Sequence, residues 1–431
     1  MRTVGIIVEY NPMHNGHLYH LQQSKKCAGA DAAVAIMSGH FLQRGEPALA
    51  DKWARTDMAL AGGVDLVLEL PIAYAVQPAE WFAYGSVATL QATGVVDALC
   101  FGSEQGDLRP LEQAAAALVK EPIGFARRLR EELKAGRSYP AAYACAAGHA
   151  LENGGAEAAD TGISLRSAHT ATGGGMNWLA EPNNSLGLHY MLALRRLRSD
   201  IEPFTIGRRQ AGYHDANVSN HPIASATAIR RLWAETGNVQ ACSPYIPQPT
   251  LKILEQEMAG GRAPMGWERF VRELLYQLHL LSPEALAQHL EVTEGLEHRI
   301  KQALQRLKDP SVEALLNELK TKRYTRTKLQ RTLAHILLHH DKFHFGPDAI
   351  AQGPSYIRVL GFSDHGRMLL KRMKKTAELP VVLSVSRENA GLGGFSGIPA
   401  DTRATAVYAN AFTPWNARAA FRDYYEAPRR I

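Results

Sequence analysis

The first seventeen residues constrain the fold more than any other stretch of this chain. An apolar run from Val4 to Val8 is followed by Asn11-Pro12 and then by His14-Asn15-Gly16-His17. The continuous apolar run predicts a buried strand, Pro12 predicts a turn, and helical periodicity begins near Asn15. Because His14 and His17 are three residues apart, we expect both imidazoles on one face of the helix start.

The start of a helix favours anions, since its first backbone N–H groups have no partner within the helix. Imidazoles beside those groups can donate to phosphate oxygens on which charge develops during phosphoryl or nucleotidyl transfer. Gly16 leaves room for a base or ribose to approach the backbone. Two alternatives stay open on these residues alone. One is a chance pairing of histidines, and the other is a metal site that lacks a clear third ligand besides Glu9.

Apolar runs alternate with helix-length segments through the first hundred residues. This alternation predicts a Rossmann-like parallel α/β sheet, and the continuous apolar character predicts that helices cover both faces. Glycines and prolines follow the runs, so turns gather at the edge where such sheets bind ligands. The runs are Val4 to Val8, Ala32 to Met37, Val64 to Leu70 and Val95 to Phe101.

Changes in the pattern of apolar residues along the sequence predict that the chain has three parts. Residues 1–234 carry the strand and helix alternation, residues 235–345 are mainly helical, and residues 346–431 form a small α/β element with a strand-like segment from Pro380 to Val385. The Gly- and Thr-rich stretch 154–177 has no apolar periodicity and is expected to form a loop.

The charge distribution points to a polyanionic partner. The net charge is +6 and the pI is about 9.0, which by itself favours nucleic acid only weakly. A basic segment in the helical part is more specific, because it contains no acid and its tyrosine can stack on a base or ribose. A solvated helix face is the alternative. The segment, predicted to bind RNA, comprises Lys320, Lys322, Arg323, Tyr324, Arg326 and Lys328.

The cysteines and the apolar runs indicate in which cellular compartment the protein is expected. Cys27, Cys100, Cys145 and Cys242 are dispersed, so neither a zinc ribbon nor a disulfide framework is expected. No secretory signal precedes the first strand, and no apolar run approaches the roughly twenty residues of a membrane span. We therefore expect a cytoplasmic protein with no membrane partner, and infer no protein partner.

Two motifs together resemble those of the HxGH nucleotidyltransferase superfamily. The first is His14-Asn15-Gly16-His17, and the second, Ile223 to Arg230, is similar to the ISSTxIR motif with Ala226 in place of the second Ser. Beyond these motifs, most of the chain resembles the bacterial tRNA(Met) cytidine acetate ligases. The segments that carry this resemblance are residues 5–12, 37–47, 68–71, 101–104, 182–184, 211–215 and 319–325.

The resemblance implies an ATP-dependent ligase. Acetate would be activated as acetyl-adenylate with release of pyrophosphate, and the wobble cytidine of elongator tRNA(Met) would accept the acetyl group. Residues 1–234 would then be the catalytic domain and residues 235–345 the tRNA-binding domain. His14 and His17 are the expected catalytic residues, Mg²⁺ is expected to accompany ATP, and no residue is assigned as a metal ligand.

The resemblance also assigns residues to ATP. Some have structural alternatives: an N-cap for Asn183 or Asn184, a turn for Gly102, and a helix cap for Ser225. Arg209 is an alternative to Arg208. The expected ATP-binding residues are Ile7, Val8, Glu9, Tyr10, Asn11, Pro12, Met13, His14, Asn15, Gly16, His17, Leu18, Tyr19, His20, Gly102, Asn183, Arg208, Ser225 and Thr227.

Two other functions remain open at this point. An adenylyltransferase acting on a small phosphorylated acceptor would not need the basic helical part. A non-catalytic RNA-binding protein with a retained nucleotide pocket would bind RNA without releasing pyrophosphate.

Overall fold

The computed structural model describes residues 1–122, 124–137, 139–154, 177–207 and 223–431. Within these residues, eight strands form one sheet in the order β5-β4-β1-β2-β3-β6-β7, with β8 also paired to β6. The strands are β1 Thr3–Val8, β2 Ala32–Ser38, β3 Leu66–Leu70, β4 Ala98–Ser103, β5 Glu202–Gly207, β6 Ile357–Phe362, β7 Val381–Val382 and β8 Arg429–Arg430.

The first five strands are parallel, as the alternation of apolar runs predicts. Every residue of β2 and β3 is buried, since helices cover both faces of the sheet. The predicted Rossmann-like parallel sheet is therefore confirmed, with strand ends shifted by up to three residues. The helices between these strands are α1 Asn15–Cys27, α2 Lys52–Ala61, α3 Ile72–Ala75, α4 Ala79–Ala92, α5 Arg109–Leu118, α6 Phe125–Lys134, α7 Tyr139–Gly154 and α8 Pro182–Leu197.

After β5 the described chain is helical until β6. In this region, which the sequence predicts to be mainly helical, Trp267–Phe270 forms a 3₁₀ turn and an α-helix follows it directly. The helices are α9 Ala226–Thr236, α10 Gln248–Ala259, α11 Val271–Leu280, α12 Pro283–Leu286, α13 Leu296–Arg306, α14 Val312–Leu319, α15 Arg326–Leu337, α16 Lys342–Phe345, α17 Pro347–Ile350, α18 Asp364–Thr376, α19 Ile398–Ala409 and α20 Arg422–Tyr425.

The C-terminal strands extend the main sheet. β6 pairs antiparallel with β3, so that Glu69 lies opposite Arg358, and β7 and β8 add to the far side of β6. Only Val381–Val382 of the strand-like segment at 380–385 is extended into the sheet. The C-terminal part thus shares its sheet with the N-terminal part, and the three-part division of the chain remains a prediction.

A buried cluster of charges fixes the C-terminal part to the N-terminal part. Lys52 Nζ lies 2.8 Å from both carboxylate oxygens of Glu69 and 2.8 Å from Asp423 Oδ1. Arg358 Nη2 lies 3.6 Å from the same oxygen of Asp423. Burial alone would lower the pKa of Lys52, but Asp423 and Glu69 raise it above its ordinary value. The ammonium therefore stays charged and connects α2, β3 and α20.

Replacing Lys52 tests this cluster. Lys52→Met leaves Glu69 buried without a cation, so we expect a loss of about 3–5 kcal/mol in the free energy of unfolding. A control is Arg196→Met, since the Arg196–Glu80 pair is also short, at 2.5 Å, but both of its side chains are about one third exposed. That change should cost about 1 kcal/mol or less. Equal shifts of the two urea-unfolding curves would contradict the structural role of the buried cluster.

Candidate active site

A cleft of about 540 Å³ opens at the carboxyl ends of β1, β4 and β5. Its walls come from the start of α1, the start of α8, the start of α9 and the first turns of α15, together with the loop after β2. This is the edge at which parallel α/β sheets bind ligands, and the turn residues of the sequence predicted a site there.

His14 and His17 stand together at the start of α1, which begins at Asn15 as predicted. His14 Nδ1 accepts from the Gly16 N–H at 3.1 Å, and His17 Nδ1 accepts from the His14 N–H at 3.3 Å. The two rings stack with their centroids 3.7 Å apart. Because each Nδ1 accepts a hydrogen bond, the hydrogen-bond network assigns the ring hydrogen of each neutral imidazole to Nε2. Each ring therefore has an Nε2–H donor.

Hydrogen bonds to the segment that follows β2 hold the turn between β1 and α1. Arg55 donates through Nη1 to Glu9 O at 2.7 Å and to Ser38 O at 3.0 Å. Asn11 Oδ1 accepts from the Leu49 N–H at 2.6 Å. The strand ends that carry the histidine motif are thus fixed before any ligand binds.

The start of α9 forms the opposite wall. Ser225 is the N-cap, and its hydroxyl accepts from the Ala228 N–H at 3.1 Å, so the structural alternative for Ser225 is confirmed while Ser225 also lines the cleft. Arg230 donates to Asn11 O at 2.9 Å and lies 3.3 Å from Glu46 Oε2. This arginine joins the second motif to the turn of the first and presents a guanidinium to the cleft.

Asn183 and Asn184 are not N-caps, contrary to that alternative. The N-cap position of α8 is Glu181, and the carboxylate of Glu104 receives the N–H groups of Asn183 at 3.0 Å and Asn184 at 2.7 Å. Glu104, from the loop after β4, thus caps α8 in place of a local side chain, because its carboxylate accepts from the N–H groups that have no partner at the helix start. Asn183 lines the cleft, as does Gly102.

Burial shifts the pKa values of three groups in the cleft, and it raises that of the Tyr10 hydroxyl. Burial raises the pKa of the Glu9 carboxyl, although the Gln43 N–H, Arg44 and Arg55 oppose the shift. Burial lowers the pKa of His20 to about 4, so that its imidazole is neutral.

No group of three or more His, Cys, Asp or Glu in the described ranges is arranged to hold a metal ion. No helix among those residues is long and apolar enough to cross a membrane.

A model of the HIGH nucleotidyl transferase family matches residues 1–422. The tRNA(Met) cytidine acetate ligase of Caldanaerobacter subterraneus subsp. tengcongensis is 40% identical over 412 residues, which cover 96% of each chain. That of Halalkalibacterium halodurans is 37% identical and covers 100% of this chain and 98% of the relative. The chain belongs to the HIGH nucleotidyltransferase family, among its tRNA(Met) cytidine acetate ligases.

Solved structures agree with this assignment. The apo crystal structure of Thermotoga maritima TmcAL has 32% sequence identity and a TM-score of 0.87, and all of each chain is covered. A second crystal form of that protein, with α-thio ATP bound, has a TM-score of 0.85 over the full length of both chains. The predicted membership of this ligase family, and with it the enzyme class, is confirmed.

Most residues that the family resemblance assigns to ATP line the cleft, although their contact with ATP remains a prediction. Met13 instead is fully buried in the core, and Asn15 donates to Pro244 O at 3.0 Å. Pro12 and Leu18 also lie outside the lining, and Arg208 lies outside the described residues. The residues that line the cleft are Ile7, Val8, Glu9, Tyr10, Asn11, His14, Gly16, His17, Tyr19, His20, Gly102, Asn183, Ser225 and Thr227.

Part of the cleft wall was not predicted from the sequence. The loop after β2 and the first turns of α15 complete its wall, and only Arg326 among these residues was singled out, as an RNA contact. The segment 37–47 carried the family resemblance, which was the available signal for the loop. The added lining residues include Leu42, Gln43, Arg44, Glu46, Arg326, Thr327 and Gln330.

Several side chains of the basic segment are paired with acids or buried, which the sequence of the segment does not indicate. Arg326 pairs with Glu313 at 2.8 Å, and Arg323 lies 3.5 Å from Glu294. Tyr324 is only 6% exposed and donates to Glu294 O at 2.8 Å, so the expectation that its ring stacks on a base is wrong for this structure. Lys320 and Lys322 are exposed.

Gly16→Ala tests the histidine geometry. A Cβ at Gly16 would lie 2.9 Å from His14 Cε1 and 3.0 Å from His14 Nδ1, so the ring must move. We expect ATP-dependent turnover to fall on the order of 10-fold to 100-fold, because misplaced catalytic groups lose rate steeply. Gly391→Ala, where a Cβ meets open space, is the control. Equal turnover of the two variants would show that the ring position is unimportant.

Proposed function

We propose that this protein acetylates the wobble cytidine of elongator tRNA(Met) in two steps within one cleft. Acetate attacks the α-phosphorus of ATP to give acetyl-adenylate and pyrophosphate, and the cytidine N4 amine then takes the acetyl group. The substrates named for the ligases of Caldanaerobacter and Halalkalibacterium support this proposal. The observation that carries it is the pair of Nε2–H donors of His14 and His17 at a helix start inside the cleft.

The first step needs positioning and charge stabilisation. His14 and His17 donate to the α-phosphate oxygens as negative charge develops there. Thr227 and Arg230 contact the leaving pyrophosphate from the start of α9, where backbone N–H groups also favour anions. Gly102 leaves the end of β4 open to the adenine or ribose. No covalent enzyme intermediate is required.

Magnesium belongs to this proposal as a partner of the ATP phosphates. The two acids of the described cleft lining, Glu9 and Glu46, do not form a protein cage of several carboxylates. This arrangement fits Mg²⁺ that arrives with the nucleotide and keeps most of its waters. The ion would neutralise charge on the phosphates.

The tRNA contacts the basic segment beside the cleft in this proposal. Lys320, Lys322 and Arg323 are exposed, and Arg326 belongs both to this segment and to the cleft wall. An RNA backbone on these side chains would bring an unpaired anticodon base to the nucleotide. Lys328 lies over the buried Tyr324 ring at 5.4 Å and is partly exposed.

The reaction is tested by incubating the protein with ATP, radiolabelled acetate and tRNA. We expect label in tRNA cytidine and acetate-dependent release of pyrophosphate, and we expect His17→Ala to lower both by at least about 100-fold, in the range for loss of a charge-stabilising donor. Release of pyrophosphate without label in RNA would favour an adenylyltransferase with another acceptor. RNA binding without pyrophosphate release would favour a non-catalytic protein.

The tRNA surface is tested by salt dependence. Changing Lys320, Lys322 and Arg323 to Ala should weaken tRNA binding and reduce the slope of log Kd against log salt by about one per lost phosphate contact, with ATP affinity unchanged. The matched control changes three exposed bases of α6, namely Arg127, Arg130 and Lys134, to Ala. If both triple variants show the wild-type slope, the basic segment does not contact tRNA.

A further inference from the structure

Two carboxylates line the described part of the cleft, and their surroundings differ. Glu46 is partnered: Oε2 lies 3.3 Å from Arg230 Nη2, and Oε1 accepts from Gln330 Nε2 at 3.2 Å. Glu9 has no cation within 4 Å among the described residues. Its Oε1 accepts one hydrogen bond, from the Gln43 N–H at 2.7 Å. Within the same residues no donor reaches Oε2.

Glu9 follows the last residue of β1 and is five positions before His14 on the same turn. Its backbone carbonyl is held by Arg55, and its carboxylate is held by the loop after β2, so both ends of the residue are fixed. The side chain is mostly shielded from solvent but reaches the cleft surface. Glu9, His14 and His17 therefore line the same cleft, so a ligand bound there is within reach of all three residues.

The second step of the proposed reaction needs a proton acceptor. The amine of cytidine must lose a proton when it becomes an amide nitrogen. His14 and His17 are unsuited to accept it, because each Nδ1 already accepts a backbone hydrogen bond and each Nε2 carries a hydrogen. His20 is a weak base, since burial lowers its pKa to about 4.

We propose that Glu9 is the general base of acetyl transfer, taking the proton from the cytidine amine through Oε2. This inference rests on the proposed function. The N4 lone pair of cytidine attacks the acetyl carbonyl carbon, and a C–N bond forms. The bond between that carbon and the α-phosphate oxygen breaks, AMP leaves with the electron pair, and the N4 proton moves to Glu9. The proton is then released to solvent.

The electrostatic surroundings of Glu9 suit this role. Arg44, Arg55 and Glu46 are the charged groups that act on it, and burial raises its pKa despite the two arginines. A carboxylate of raised pKa is a stronger base than an ordinary glutamate and is still ionised when its pKa lies below the working pH. Glu46 is a weaker candidate, because accepting a proton would weaken its pairing with Arg230.

Measuring the two half-reactions separately, formation of acetyl-adenylate and acetyl transfer to tRNA, distinguishes a general base from a residue that only binds ATP. Glu9→Gln keeps an oxygen to accept from the Gln43 N–H, so folding should be retained and is checked by thermal unfolding. Because Glu9 also lines the nucleotide cleft, acetate-dependent exchange of pyrophosphate into ATP, without tRNA, can fall in this variant, but it should fall far less than acetyl transfer, since loss of a general base affects only the transfer step. Single-turnover transfer from preformed acetyl-adenylate to tRNA should fall by about 10²- to 10⁴-fold. Glu131→Gln, an exposed site on α6, is the control for both steps.

The pH profile gives an independent readout. Wild-type transfer should rise with pH up to the pKa of Glu9, because only the ionised carboxylate accepts a proton. The midpoint should lie above the ordinary glutamate range, as burial raises this pKa. Glu9→Gln should lose this rise, and Glu9→Asp should keep it at a lower rate.

Several outcomes would overturn the assignment. Equal loss of exchange and transfer in Glu9→Gln would make Glu9 part of the ATP site. Wild-type transfer in Glu9→Gln would show that another group takes the proton, and so would an unchanged pH profile. Wild-type protein that supports acetate-dependent exchange but acetylates no tRNA, or that supports neither, would overturn the proposed function itself and the role of Glu9 with it.

Discussion

The guanidinium of Arg55 holds together the strand ends on which the cleft is built. It is fully buried and donates to four backbone carbonyls, those of Ala50, Glu9, Ser38 and Gly39. Where parallel strands end, carbonyl groups leave the ladder and need other partners. A planar group with five donors satisfies several of them at once, which lysine cannot do. This one side chain thereby fixes the backbone carbonyl of Glu9, at the beginning of the turn that leads to the histidines.

The loop after β2 is fixed from the opposite end of the chain. Tyr408 donates to Ala48 O at 2.7 Å, Arg422 pairs with Asp51, and Asp423 pairs with Lys52. Asp51 in turn caps α2 through the Ala54 N–H at 2.8 Å. Residues more than 350 positions away therefore hold the loop that carries Gln43 and Glu46. The C-terminal part thus supports the cleft even though it contributes no side chain to the described lining.

Local signals in the sequence predicted the parts of the structure that local interactions determine. The helix start at Asn15, the parallel strands and the edge that carries the cleft follow from apolar runs, turn residues and periodicity. The joining of β6 to β3 has no local signal, because it depends on pairing between residues almost 300 positions apart. The capping of α8 by Glu104 and the burial of Tyr324 were missed for the same reason: each depends on a partner from another segment.

Two arginine–glutamate pairs, one within the basic segment and one just beyond it, differ in how deeply they are buried. Arg331 and Glu291 form two hydrogen bonds, at 2.8 and 2.7 Å, with side chains only 11% and 14% exposed, so breaking this pair would leave a buried charge. Arg326 and Glu313 are about half exposed, and such pairs contribute about 1 kcal/mol or less. Losing Glu313 as a partner would therefore cost little stability. Because Arg326 also lines the cleft, its guanidinium is available to a ligand there, whereas that of Arg331 is committed to Glu291.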